Sequence, residues 1–140
     1  MLSGIVGDIY FQEMLHAEIT ERIIGAAMRI HSSLGPGLLE SAYREFLFLE
    51  LLSDGWSVEK EKLMPVFHKG VRLDQAYRID LLVEQKVVIE LKTVEELRRV
   101  HFEQVLTYLR LGNFSTGLLI NFHAAQLKDG LKRIANSRVH

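Results

Sequence analysis

The chain contains no cysteine, which excludes a disulfide scaffold and any cysteine-ligated zinc or iron site. A reducing, cytoplasmic setting is the matching expectation. Proline is scarce as well, with Pro36 and Pro65 the only two in 140 residues. No linker, internal repeat or low-complexity run is visible. One domain over residues 14–140 is expected, preceded by an extension over residues 1–13 whose pattern shows no clear period. No apolar run approaches the ~18 residues needed to span a bilayer, so no membrane contact is expected. Met1 to Phe11 lack the basic start and long apolar stretch of a secretory signal. An excess of either charge is missing too: 17 Lys and Arg face 18 Asp and Glu, a net charge of −1. Proteins that hold duplex nucleic acid tightly usually carry a clear basic excess. Any nucleic-acid contact here is therefore expected to be transient and salt-sensitive. The small basic groupings, Arg98-Arg99 and Lys128, Lys132, Arg133 and Arg138, read as solvated helix faces.

What is present is a regular alternation of helical and strand patterns. Ile19, Ile23, Ala26, Ala27 and Ile30 form one apolar stripe and predict a helix over 17–33. Leu34-Gly35-Pro36-Gly37 ends it, since glycine allows a left-handed stop and proline cannot continue a helix. A second helix is predicted from Leu38 to Ser53, with Leu39, Ala42, Tyr43, Phe46 and Leu47 buried and Asp54-Gly55 closing it. Strands are expected over 56–62 and 65–68, then in the segment containing Asp80, then around Glu90. A helix over 100–111 follows, stopped by Gly112-Asn113. Ser115 to Phe122 reads as a buried strand lying parallel to the Glu90 strand, because a helix crosses between them. A final helix is expected over 124–136. The order is α-α-β-β-β-β-α-β-α, an α/β fold with a central mixed sheet flanked by helices.

Tyr77-Arg78-Ile79-Asp80-Leu81-Leu82-Val83 and Val87-Val88-Ile89-Glu90-Leu91-Lys92 carry the chemistry. Only Glu84-Gln85-Lys86 lie between them, and a three-residue hairpin loop pairs Val83 with Val87 and, by the same count, Asp80 with Glu90. Alternation assigns Ile79, Leu81, Val83, Val87, Ile89 and Leu91 to one apolar face. Arg78, Asp80, Leu82, Val88, Glu90 and Lys92 take the other. Carboxylates directly opposite would stand roughly 5 Å apart at Cβ. Bare, they repel; a hard divalent cation with oxygen ligands removes that cost. Asp80 and Glu90, with the Leu91 carbonyl, are the candidate ligands of Mg2+ or Mn2+. Lys92 points to the same side and suits a point contact with phosphate. A phosphodiester-cleaving site is the sharpest reading. Glu40 admits two accounts: an acid favoured near a helix N-terminus, paired to Arg44, or a third carboxylate over the metal patch. Gln104 and Tyr108 share a helix face, as packing with a polar rim or as groups reaching phosphate, water or Lys92; His101 lies one turn before them. His31 reads as a helix-end cap. Tyr43, Arg44, Arg78 and Tyr108 are candidate substrate contacts.

His31-Ser32-Ser33-Leu34-Gly35-Pro36-Gly37-Leu38-Leu39-Glu40-Ser41-Ala42-Tyr43 resembles the signature of the GxxExxY proteins, with Gly37, Glu40 and Tyr43 at the named positions. Tyr77 to Glu95 resembles that family's Asp…Glu-Leu-Lys core. His101 to Leu111 and Gly117 to Phe122 resemble its Gln…Tyr helix and its Gly-Leu-Leu-Ile-Asn-Phe strand. The resemblance spans residues 14–134 and implies a PD-(D/E)XK nuclease-like, restriction-endonuclease-like fold with a Mg2+ site. By similarity Asp80, Glu90 and Lys92 match the core, Glu40 the helical acid and Gln104 the helix-borne glutamine. Members commonly begin near Met14, so residues 1–13 look like an extension or the product of an upstream start codon. A metal-dependent nuclease acting on DNA or RNA is the implied activity. The alternative is a catalytically silent nuclease-fold protein that binds a protein or nucleic-acid partner. A homodimer is compatible with so small a domain.

Overall fold

Ile19, Ile23, Ala26, Ala27 and Ile30 are all buried, so the first helix packs along the stripe its spacing predicts. The computed structural model describes the backbone of residues 2–137 and the side chains of residues 16–137. Helix α1 spans Leu2–Leu34, longer than the 17–33 predicted, and takes in residues 2–13, which the sequence left unassigned. An apolar period marks packing and is not needed for a helix to continue; no proline interrupts this stretch. Gly35, at φ 74°, turns the chain, and its N–H donates to the His31 carbonyl at 2.8 Å.

Helix α2 spans Glu40–Ser53 and differs from expectation in the side it buries. Tyr43, Leu47 and Leu51 face the core, whereas Leu39 is 76% exposed and Phe46 45% exposed. The helix carries apolar residues on more than one side, and packing selects the line spaced by four. Gly55, at φ 91°, closes it as predicted.

The two strands expected over 56–68 are one, β1, Val58–His68. Pro65 does not divide it but sits in an irregularity between Met64 and Val66, a position where a missing N–H is tolerated. β2 (Val71–Val83), β3 (Val87–Lys92), helix α3 (Arg99–Gly112) and β4 (Thr116–Asn121) follow. Asn113, left-handed at φ 58°, stops α3. The helix expected over 124–136 is absent: a single 3-10 turn, Leu127–Gly130, leads into β5, Leu131–Ala135. A Cβ on Gly130 would meet the Asn121 carbonyl oxygen at 2.6 Å. The chain passes close against the end of β4 there and turns back to pair along it as β5.

One five-stranded sheet results, in the order β1-β2-β3-β4-β5. β3 and β4 run parallel as expected and the other neighbours run antiparallel. Val83 pairs with Val87 across the short hairpin. The sheet separates two cores. One gathers Leu81, Val83, Val87, Ile89, Leu91, Leu118, Ile120 and Phe122 against α1 and α2. The second places Leu82, Val88 and Leu119 under Val105 and Leu109 of α3. Ile79 belongs to this second core, not to the face of Leu81 that strict alternation predicts. The alternation slips at Asp80, opposite Glu61, whose left-handed φ of 52° interrupts β1 between the pairs Lys60↔Leu81 and Lys62↔Ile79.

Candidate active site

The ladder between β2 and β3 holds for Leu81↔Ile89, Leu82↔Val88 and Val83↔Val87. It stops short of the Asp80–Glu90 pair expected from the hairpin count. The carboxylates take over there. The Asp80 N–H donates to Glu90 Oε1 at 3.1 Å, and the Leu91 N–H donates to Asp80 Oδ2 at 2.9 Å. Each acid thus satisfies a main-chain donor near its partner acid that strand pairing would otherwise have occupied. Both side chains are buried, Asp80 5% and Glu90 4% exposed.

Burial first, and then the charge of Asp80, push the Glu90 carboxyl up to about 8; Lys92 acts in the opposite direction. Glu40, the first residue of α2, is raised too, by burial and then by Asp80, against the pull of Lys92, Arg44 and Arg78. Glu40 therefore lies within electrostatic reach of Asp80. Its fourth neighbour along the helix, Arg44, pairs elsewhere: to Glu61 Oε1 at 3.0 Å and toward Asp80 Oδ1 at 3.9 Å. Arg78 also reaches Glu61, at 3.5 Å.

Glu61 is the residue that sequence reasoning missed. It is left-handed, at φ 52°, and the pairs Lys60↔Leu81 and Lys62↔Ile79 bracket it opposite Asp80. A count out from the His68↔Val71 turn would set it opposite Arg78 instead; the irregularity between Met64 and Val66 shifts the pairing and brings it to Asp80. Its carboxylate gathers two guanidinium groups beside the buried acids.

From the other side of the sheet, α3 contributes Gln104 and Tyr108. Gln104 Nε2 donates to the Tyr108 hydroxyl at 3.0 Å, and the Tyr108 ring stacks on Tyr77 at 4.6 Å. Burial and then Glu90 raise the Tyr108 hydroxyl above its ordinary range, which puts it within electrostatic reach of the acids. His101 stands apart as a helix cap, its Nδ1 accepting the Arg98 N–H at 2.9 Å. Burial, and then Lys92, hold its pKa down. Tyr43 is corrected from a substrate contact to a core residue. It is fully buried and stacked on Phe122 at 4.4 Å. Its hydroxyl donates to the Gly35 carbonyl and accepts the Leu38 N–H at 3.0 Å. His31 likewise packs, its Nε2 donating to the Ala124 carbonyl at 2.7 Å. Arg99 pairs with Glu103 and Arg133 with Thr20, while Arg138 lies outside the described residues.

A family model of the PD-(D/E)XK nuclease superfamily matches residues 17–134. The chain belongs to the PD-(D/E)XK nuclease superfamily. No curated protein and no solved structure matches it. The mixed sheet flanked by helices is accordingly a restriction-endonuclease-like fold. PD-(D/E)XK nucleases generally use divalent metals. Among the described residues, no three His, Cys, Asp or Glu side chains form a ready-made cage. The donor chemistry nevertheless fits a hard cation. Two buried carboxylates lie together, burial and then Asp80 disfavour charge on Glu90, and each acid has one oxygen outside its main-chain bond. A divalent ion offsets that penalty. No helix of the described residues is long and apolar enough to cross a membrane.

Proposed function

We propose that this PD-(D/E)XK protein is a Mg2+- or Mn2+-dependent nuclease that hydrolyses phosphodiesters of DNA or RNA. The observation that carries the proposal is the buried Asp80–Glu90 pair, placed where β2 and β3 part, with Lys92 two residues beyond Glu90 on β3. Asp80, Glu90 and the Leu91 carbonyl would hold the ion, with Glu40 of α2 as a further acid within electrostatic reach of Asp80. When bound, the ion would supply charge to polarise a phosphate oxygen and acidify water. Lys92 orients the attacking water and offsets charge that develops on the phosphate. Water oxygen bonds to phosphorus, the ester P–O bond breaks, and the departing oxygen takes up a proton. Arg44 and Arg78, gathered by Glu61, draw the phosphate in, and Gln104 and Tyr108 line the α3 side. The Gly37, Glu40 and Tyr43 spacing supports a place in the GxxExxY branch of the superfamily, and the cysteine-free sequence supports a cytoplasmic setting.

Purified protein incubated with labelled single-stranded, duplex and branched DNA and RNA plus Mn2+ tests the activity. Lys92→Ala should retain metal binding and lose cleavage; equal cleavage by both proteins rejects this role for the lysine. A second reading, a silent nuclease fold that binds a nucleic-acid or protein partner, is favoured by one observation. Arg44 already lies 3.9 Å from Asp80 Oδ1, where it offsets part of the charge without a metal. Binding of a substrate in the panel with no product under any metal would decide for it.

A further inference from the structure

Below the acid pair, the two longest strands leave the sheet together. β2 meets β3 only through Leu81, Leu82 and Val83. Along residues 71–79 its only strand neighbour among the described residues is β1. A two-stranded ribbon over residues 62–79 results, turned at Lys69 and Gly70, both with positive φ. Leu63, Phe67, Val71 and Leu73 on it are between 50% and 66% exposed. A ribbon of two strands is marginal by itself in water, and apolar side chains concentrated in solvent mark an interaction surface.

Charge and position indicate the partner. Lys62, Lys69, Arg72 and Arg78 stand on the ribbon against one acid, Asp74, in a chain whose net charge is −1; Arg72 pairs with Asp74, and Lys62 with Glu59 beside the ribbon's root. The Arg72 guanidinium lies 5.3 Å from the centre of the Phe67 ring, so an aromatic that is 66% exposed carries a cation on its face. Exposed rings flanked by cations stack bases irrespective of sequence. The root of the ribbon is Asp80 itself, and Arg78 lies beside it, bound to Glu61.

We infer that this ribbon is a nucleic-acid arm of the active site. Its basic residues follow the phosphates, and Phe67 offers a stacking surface to an unpaired base a fixed distance from the acids. The inference rests on the nuclease reading for the direction of the strand, although binding by the arm does not require cleavage. A second copy of the chain, paired ribbon to ribbon, is the rival occupant. A two-fold contact sets the same patch against itself, so the basic excess opposes it.

The test compares the full chain with a Phe67→Ser, Lys69→Gln, Arg72→Gln variant. All three positions are exposed, and unchanged circular dichroism and melting temperature control for folding. Fluorescence anisotropy with labelled single-stranded and duplex oligonucleotides is read in EDTA at several salt concentrations. The variant should bind at least about tenfold more weakly, with a shallower salt dependence. Hydrolysis of bis(4-nitrophenyl) phosphate with Mn2+ should be unchanged. Equal affinity, or no binding by the unaltered chain, overturns the arm. Loss of a dimer in sedimentation with unchanged affinity also overturns it and assigns the ribbon to self-association. Ribbon-dependent binding by a chain that hydrolyses no diester upholds the arm and rejects the nuclease reading.

Discussion

Tyr43 and Glu90 show how differently two residues of one signature region and one acidic motif behave once folded. The Tyr43 hydroxyl bonds twice to the turn between α1 and α2. Tyr43→Phe should lower stability by about 1–3 kcal/mol, since two hydrogen bonds go, while cleavage well below the melting temperature stays the same. Urea denaturation checks the first, and rates on one substrate the second. Glu90 responds to pH. Its folded pKa is raised from 4.5 to about 8, so the native state keeps a proton that the unfolded chain has released. Stability without metal should therefore be greatest below pH 4.5 for this group and be lost as pH rises toward 8. Melting in EDTA across that window should show the decline. Glu90→Gln should flatten it; an unchanged slope would assign the pH dependence to another group.

At the level of elements, β5 depends on one close contact. A side chain at Gly130 runs into the Asn121 carbonyl oxygen, a main-chain atom that cannot swing aside. Gly130→Ala should cost about 1–3 kcal/mol, seen as a lower denaturation midpoint with the β4–β5 edge losing amide protection first. This edge is also where sequence reasoning failed. Residues 124–136 have helix-compatible spacing, and the tight turn at Gly130 is a tertiary fact that no local pattern carries. The stripe on α1, the parallel β3–β4 pair and the hairpin register at Val83 and Val87 were legible because each follows from local periodicity or loop length. Leu39 and Phe46 were misplaced because α2 has apolar residues on several sides. Among candidate site residues, the meeting of Asp80 and Glu90 was readable from the strand pattern. Glu61 was not, because its place depends on pairing with a strand some twenty residues away.

Across the whole molecule the site joins the two cores. α2 brings Glu40 and Arg44 from one side of the sheet, and α3 brings Gln104 and Tyr108 from the other. An ion held at their meeting point should stabilise the entire fold through ligand linkage, by about 2.7 kcal/mol at a hundred times its dissociation constant. Melting with Mg2+ or Mn2+ should show the increment, and Asp80→Asn should remove it. A shift that persists in the variant places the ion elsewhere.

The bonds from Asp80 and Glu90 to each other's neighbourhood of main chain bear on how these residues can be probed at all. Truncating either to alanine strands an amide hydrogen in a dry interior, at a cost of about 1–3 kcal/mol. Such a protein could fall silent through loosened architecture alone. Asparagine and glutamine keep an oxygen in place to receive that hydrogen. With them, any loss of cleavage speaks to chemistry rather than to collapse.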